Sequence, residues 1–116
     1  MVGYNKFHYV RSQELMLAYR TLPCQHCGAE DGTVCGAHSN ASIHGKGRGI
    51  KASDEFCAAL CFFCHRGLDQ GATMNEDERR AMWHAAHIRT VQALVILKRW
   101  PKKVRVPSLD WPKEWT

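Results

Sequence analysis

Two Cys-x-x-Cys pairs, Cys24/Cys27 and Cys61/Cys64, stand 33 residues apart, and the second runs straight into His65 with Asp69 one helical turn beyond. Four thiolates at such spacing satisfy the soft, tetrahedral preference of a closed structural Zn2+. A histidine and a carboxylate suit a second, open site for a working divalent ion. On a helix His65 and Asp69 are i,i+4, so their side chains meet on one face and could share one cation. The alternative for that pair is structural: His65 packed under the zinc cluster, with Asp69 capping the helix or pairing with Arg66. Cys35 and Cys57 are spare, expected as small buried hydrophobes, although either could replace one of the four if the fold brings it nearer.

The elements that must position these residues fit one modest domain, since 116 residues build a single small core. A zinc staple therefore matters to its stability. Sixteen Lys/Arg against eleven Asp/Glu give a formal charge of +5 and a pI near 9.0, which favours an acidic partner such as nucleic acid. Residues 1–20 lack the apolar core and small-residue cleavage site of a signal peptide, and no apolar run is long enough to span a membrane. The expectation is a cytoplasmic protein with no membrane partner. In that reducing compartment six cysteines are metal ligands or buried thiols rather than disulfides.

Along the chain, residues 12–20 (SQELMLAYR) have helical composition, with Leu15, Met16 and Tyr19 sharing a face and Pro23 marking the end. Cys24–Gly28 (CQHCG) carries the glycine that lets a zinc knuckle turn tightly. Residues 33–39 can form a strand that delivers His38 near its end, and the CAAL run at 57–60 leads into the second knuckle. Residues 62–70 read as a helix closed by Gly71. Asn75 is an N-cap with Glu78 three residues on, opening a helix that runs to Trp100 before Pro101, roughly 35 Å at 1.5 Å per residue. Met82, Ile88, Val91, Leu94, Val95 and Leu97 are its expected core-facing positions. His84 and His87 on that helix are read as packing or surface residues, and Glu76, Asp77 and Glu78 followed by Arg79 and Arg80 as helix-end charge chemistry. The fold class is α+β, with residues 24–71 as the core and residues 101–116 as an irregular tail.

Two segments offer cations to phosphate. The loop Gly45-Lys46-Gly47-Arg48-Gly49, followed by Lys51, alternates flexible backbone with positive charge and could approach a phosphate closely; the competing reading is an ordinary basic loop. The tail adds Lys102, Lys103 and Arg105, while Trp111 and Trp115 are expected to anchor it to the core, because exposed indoles cost solubility.

The order Cys24-x-x-Cys27, Ala37-His38-Ser39-Asn40, a glycine-rich loop, Asp54, then Leu60-Cys61 through Cys64-His65 to Leu68-Asp69-Gln70-Gly71 resembles the HNH class of His-Me finger nucleases with a zinc-knuckle core. More narrowly it resembles a family of small phage and prophage nucleases, over about two-thirds of the chain. The resemblance implies a ββα-metal core in which His38 is the general base that activates water and His65 binds a catalytic cation, Mg2+, Mn2+ or similar. Asp69 would be a further ligand or would orient His65, and Asp54 takes the central position of the motif. Two departures stand out: Ala37 occupies the place where the class carries a metal-binding Asp or His, and Asp54 stands where it carries asparagine.

The resemblance thus implies a metal-dependent DNA endonuclease in phage or prophage DNA metabolism or recombination, acting in the bacterial host cytoplasm; the sequence leaves the oligomeric state open, a homodimer included. The alternative from a different class is a non-catalytic, zinc-stabilised DNA-binding or recombination-accessory module. A thiol oxidoreductase fits poorly, because neither Cys-x-x-Cys sits in a βαβ context.

Overall fold

The computed structural model describes residues 7–70 and 73–115, so the expected cap at Gly71 lies outside the described residues. Three α-helices and one two-stranded antiparallel sheet make an α+β fold: α1 (Gln13–Tyr19), β1 (Cys35–His38), β2 (Cys57–Leu60), α2 (Phe62–Gln70) and α3 (Glu76–Ile96). Short 3-10 turns at Ser42–His44 and Lys113–Trp115 complete it. No helix among the described residues is long and apolar enough to cross a membrane.

Local chemistry explains the boundaries. Ser12 caps α1, its hydroxyl accepting from the Leu15 amide at 3.1 Å. Asn75 and Glu78 form a full capping box at the start of α3. That helix ends at Ile96, four residues short of Trp100, because Lys98 enters the left-handed region (φ 58) and the amides of Arg99 and Trp100 both turn back to the Leu94 carbonyl. The Glu76–Arg80 pair at 2.9 Å accounts for charges at its first turns.

The register pairs Cys35 with Leu60, Gly36 with Ala59, Ala37 with Ala58 and His38 with Cys57. Alternation therefore puts Gly36, His38, Cys57 and Ala59 on one face of the ribbon and Cys35, Ala37, Ala58 and Leu60 on the other. Tyr19 of α1 covers the first face so closely that a Cβ on Gly36 would lie 2.6 Å from its ring. Tyr19 cannot yield easily, being fully buried with its hydroxyl donating to the Asp54 carbonyl at 2.7 Å. Gly36→Ala is expected to cost about 1–3 kcal/mol by overpacking, read as a lower denaturant midpoint at unchanged slope.

The long helix packs along β2, on a face that matches the expected one only at Val91 and Leu94, with Met82 partly buried against the core. Trp83, His84, Ala86, His87, Thr90, Val91 and Leu94 are buried, whereas Val95 and Leu97, expected in the core, are exposed at 45% and 48%. The polar members are buried because each meets a polar group that needs it. The Thr90 hydroxyl accepts the Ala59 amide at 2.9 Å, His87 Nδ1 bonds the Cys57 carbonyl at 2.7 Å, and the Trp83 indole donates to the Ala37 carbonyl at 3.0 Å. From the other side, the Gln25 amide donates to the Ala59 carbonyl at 2.8 Å.

The tail folds back as its tryptophans suggest. Trp111 and Trp115 pack edge-on against each other and against His84, and Trp115 also meets His44 and Trp83. His44 stacks on Phe56, and His87 stacks on Trp83. Burial first, then the charge of His84, pulls His44 down to about 4; His87 also falls to about 4, burial outweighing its bond to the Cys57 carbonyl. Both rings bind fewer protons folded than unfolded between about 4 and the ordinary 6.5, so their contribution to stability is complete above pH 6.5 and is lost as pH falls towards 4. The gap corresponds to roughly 3 kcal/mol per ring as an upper bound. Denaturant melts of wild type and His87→Asn across that window check it: the variant should be less stable at pH 7 and show a shallower loss on acidification.

Candidate functional site

The four paired cysteines converge. Their sulfurs all lie within 4.8 Å of one another, and Cys27 Sγ is 3.7 Å from Cys61 Sγ. A tetrahedron of Zn–S bonds of about 2.3 Å has an edge of about 3.8 Å, so the cluster matches the size and donor softness of a structural zinc. The first knuckle forms because Gly28 adopts φ 81 and returns its amide to the Cys24 carbonyl at 2.9 Å. The second is the first turn of α2, where the His65 amide bonds the Cys61 carbonyl. Burial opposes charge at Cys24, but the amides of Cys27, Cys61 and His26 outweigh it and bring the thiol down to about 6, poised to lose its proton to a metal. Burial and crowding by the other sulfurs push Cys64 up.

The two spare cysteines stay outside the cluster. Cys57 is fully buried beside Tyr19, and burial raises its pKa. Cys35 is half-buried with its sulfur 3.8 Å from His65 Nδ1. The opposite ring nitrogen, His65 Nε2, lies 3.4 Å from Asp69 Oδ2. His65 and Asp69 therefore do share a helix face, and both are accessible, with side chains 33% and 48% exposed. A tautomer with its proton on Nδ1, directed at the Cys35 sulfur, leaves the Nε2 lone pair beside the Asp69 carboxylate.

His38 and Asp54 form a second constellation. His38 Nε2 is 2.9 Å from Asp54 Oδ1, and the Asp54 side chain is only 8% exposed. Asp54 is tied down from every direction: Oδ1 also meets Arg11 Nη1 at 3.3 Å, Oδ2 accepts the Ser12 amide at 2.8 Å, its own amide donates to the Val10 carbonyl, and its carbonyl holds Tyr19. Arg11 in turn donates to the carbonyls of Lys51 and Ala52. With Nε2–H donated to the carboxylate, Nδ1 carries the lone pair, and no described residue bonds it.

No direct bond joins the two constellations among the described residues. His65 sits on the Cys35/Ala37 side of the ribbon, His38 on the other, as strand alternation requires. Ala37, one residue before His38, is thus the β1 position whose side chain shares a face with Cys35, and it supplies only a methyl group. Lys46 is half-buried, while Arg48, Lys51, Lys102, Lys103 and Arg105 are exposed. The glycine-rich loop is a defined turn, with Gly45 and Gly49 at positive φ and Gly47 bridged to Ile50. The tail cations follow Pro101 beyond α3.

Arg11 and His44 escaped the sequence reading. Arg11 meets its acceptors about forty positions along the chain, which no local pattern announces. His44 bonds the Ser39 hydroxyl at 2.6 Å across a short 3-10 turn, and the Ser39–His44 spacing was its only trace.

Comparison of the chain with protein-family models, with curated proteins and with solved structures finds no match.

Proposed function

We propose that the protein is a metal-dependent endonuclease of HNH type that hydrolyses phosphodiester bonds in DNA, built on a zinc-stapled ββα core. The observation that carries this reading is the His38–Asp54 pair at the end of β1: a histidine with one nitrogen held by a buried carboxylate and the other left as a base. Asp54 would fix the tautomer and stabilise the imidazolium formed when His38 takes a proton from water, the role an orienting carboxylate has in other hydrolytic dyads. His65 and Asp69 would hold the divalent ion, which when bound supplies Lewis-acid stabilisation of the charge on the phosphoryl group and leaving oxygen; because His38 and His65 lie on opposite faces of the ribbon, the substrate would have to reach both around the end of β1, where His38 is the last residue. Four thiolates closed around zinc would have no open position, so the cysteines would serve the fold alone.

Purified protein incubated with single-stranded, duplex and branched DNA in Mg2+, Mn2+ or Ni2+ should cleave at least one substrate. Absence of cutting in every combination would remove the proposal. Ala37 favours a second reading, a zinc-stabilised DNA-binding or recombination-accessory module, because it leaves the ion two protein ligands. That module would bind DNA, and His38→Ala would leave that activity intact.

A further inference from the structure

A continuous trough leads away from Asp69. Its inner part, a cavity of about 400 Å3, is walled by Asp69, Asn40, Ala41, Arg80, Trp83 and Trp115, among others. Its outer part, about 630 Å3, shares Asn40, Ala41, Arg80 and Trp115 with the first and extends to Lys46 and Arg48. Its lining changes from the Asp69 carboxylate beside His65, with Glu76 on the same inner wall, past Trp83 and Trp115, to Lys46 and Arg48 of the glycine-rich loop, where Glu114 is the one carboxylate among the lining residues.

Trp115 is placed by packing that leaves it adaptable. Every aromatic neighbour meets it at an interplanar angle of 73–76°, so no described ring stacks parallel on it. The Arg80 guanidinium lies over the ring, 5.2 Å from its centroid, and its other partner is the exposed Glu76. A guanidinium held by one cation–π contact and one surface ion pair is weakly retained.

We propose that this trough binds an unpaired nucleic-acid strand. Trp115 stacks one base, Arg80 swings from the indole to the neighbouring phosphate, and Lys46 and Arg48 take the phosphate beyond. The inner cavity has the size of a small-ligand pocket, and bases present free faces to an aromatic ring only when unpaired. A duplex would meet the rim without entering. The inference rests on the nucleic-acid reading of the site and specifies the form of its substrate.

The test is fluorescence anisotropy of zinc-loaded protein, with no other divalent cation, on a labelled mixed-sequence single strand and on its duplex. Wild type should bind the single strand at least about tenfold more tightly. Trp115→Leu, which keeps apolar packing, should weaken single-strand binding by about 5- to 150-fold, the equivalent of one lost stack, and leave duplex binding unchanged. Trp115→Phe should restore most of the preference, and a thermal melt of each variant confirms the fold. Equal affinity for both forms, or Trp115→Leu binding the single strand like wild type, overturns the inference. A protein that cleaves DNA while Trp115→Leu binds unchanged loses only this inference; one that shows the Trp115 effect yet cuts nothing loses only the nuclease.

Discussion

Stripping the zinc proposed for the four-cysteine cluster is expected to unfold the protein outright. The cluster is the junction of four parts of the chain: the first knuckle is sewn to β2 through Gln25 and Ala59, the second knuckle begins α2, and Arg89 of α3 donates to the Gln25 carbonyl at 2.8 Å. Cys24 and Cys61 also lie in the hydrophobic core, each 2% exposed. Without metal, four sulfurs crowded within 4.8 Å have no mutual attraction to replace the bonds they lose. Structural zinc binding supplies about 10–16 kcal/mol in zinc-finger peptides, whereas whole domains are stable by about 5–15 kcal/mol. Metal-free protein, or Cys61→Ser, should therefore show no cooperative melt by circular dichroism, and zinc added back to the metal-free wild type should restore its melt. A metal-free protein with an unchanged melting temperature would show that the core stands without its staple.

Removing the imidazole of His38 is expected to lower cleavage by about 10²- to 10⁴-fold, the range for loss of a general base. His38→Gln is the informative variant, because its amide can still donate to Asp54 and keep Arg11, Ser12 and Tyr19 in place. The fall should be in rate at saturating cation, with the cation dependence unchanged, since His38 lies across the ribbon from His65. His65→Ala should instead raise the cation concentration needed by more than tenfold, as loss of a ligand or its support does. A His38→Gln protein that cuts at wild-type rate would reassign the histidine to a structural role. One that shifts the cation requirement instead would make it a ligand.

Much of the scaffold was legible because its signals are local. The Cys-x-x-Cys spacing placed the cluster, CAAL marked β2, and Asn75 with Glu78 marked the start of α3. The buried face of α3 was legible by apolar period only in part, at Val91 and Leu94, with Met82 packed beside the core. Thr90, His87 and Trp83 face inward because β-ribbon backbone groups await their hydrogen bonds, and those partners lie 31, 30 and 46 positions away, respectively. Val95 and Leu97, apolar and expected in the core, remain partly exposed instead. At the candidate site the i,i+4 relation of His65 and Asp69 could be read directly. Asp54 could be singled out as a residue, but its embrace by Arg11, Ser12 and Tyr19 depends on where α1 docks.

The three bonds from α3 and the first knuckle to β2 also bear on assembly. In a two-stranded sheet, β2 would normally present Cys57 and Ala59 outward as a template on which a strand from another copy could add. Here the Cys57 carbonyl is taken by His87, the Ala59 amide by Thr90 and the Ala59 carbonyl by Gln25. That border is closed to strand addition, so a second copy of this protein could not extend the sheet by pairing on β2.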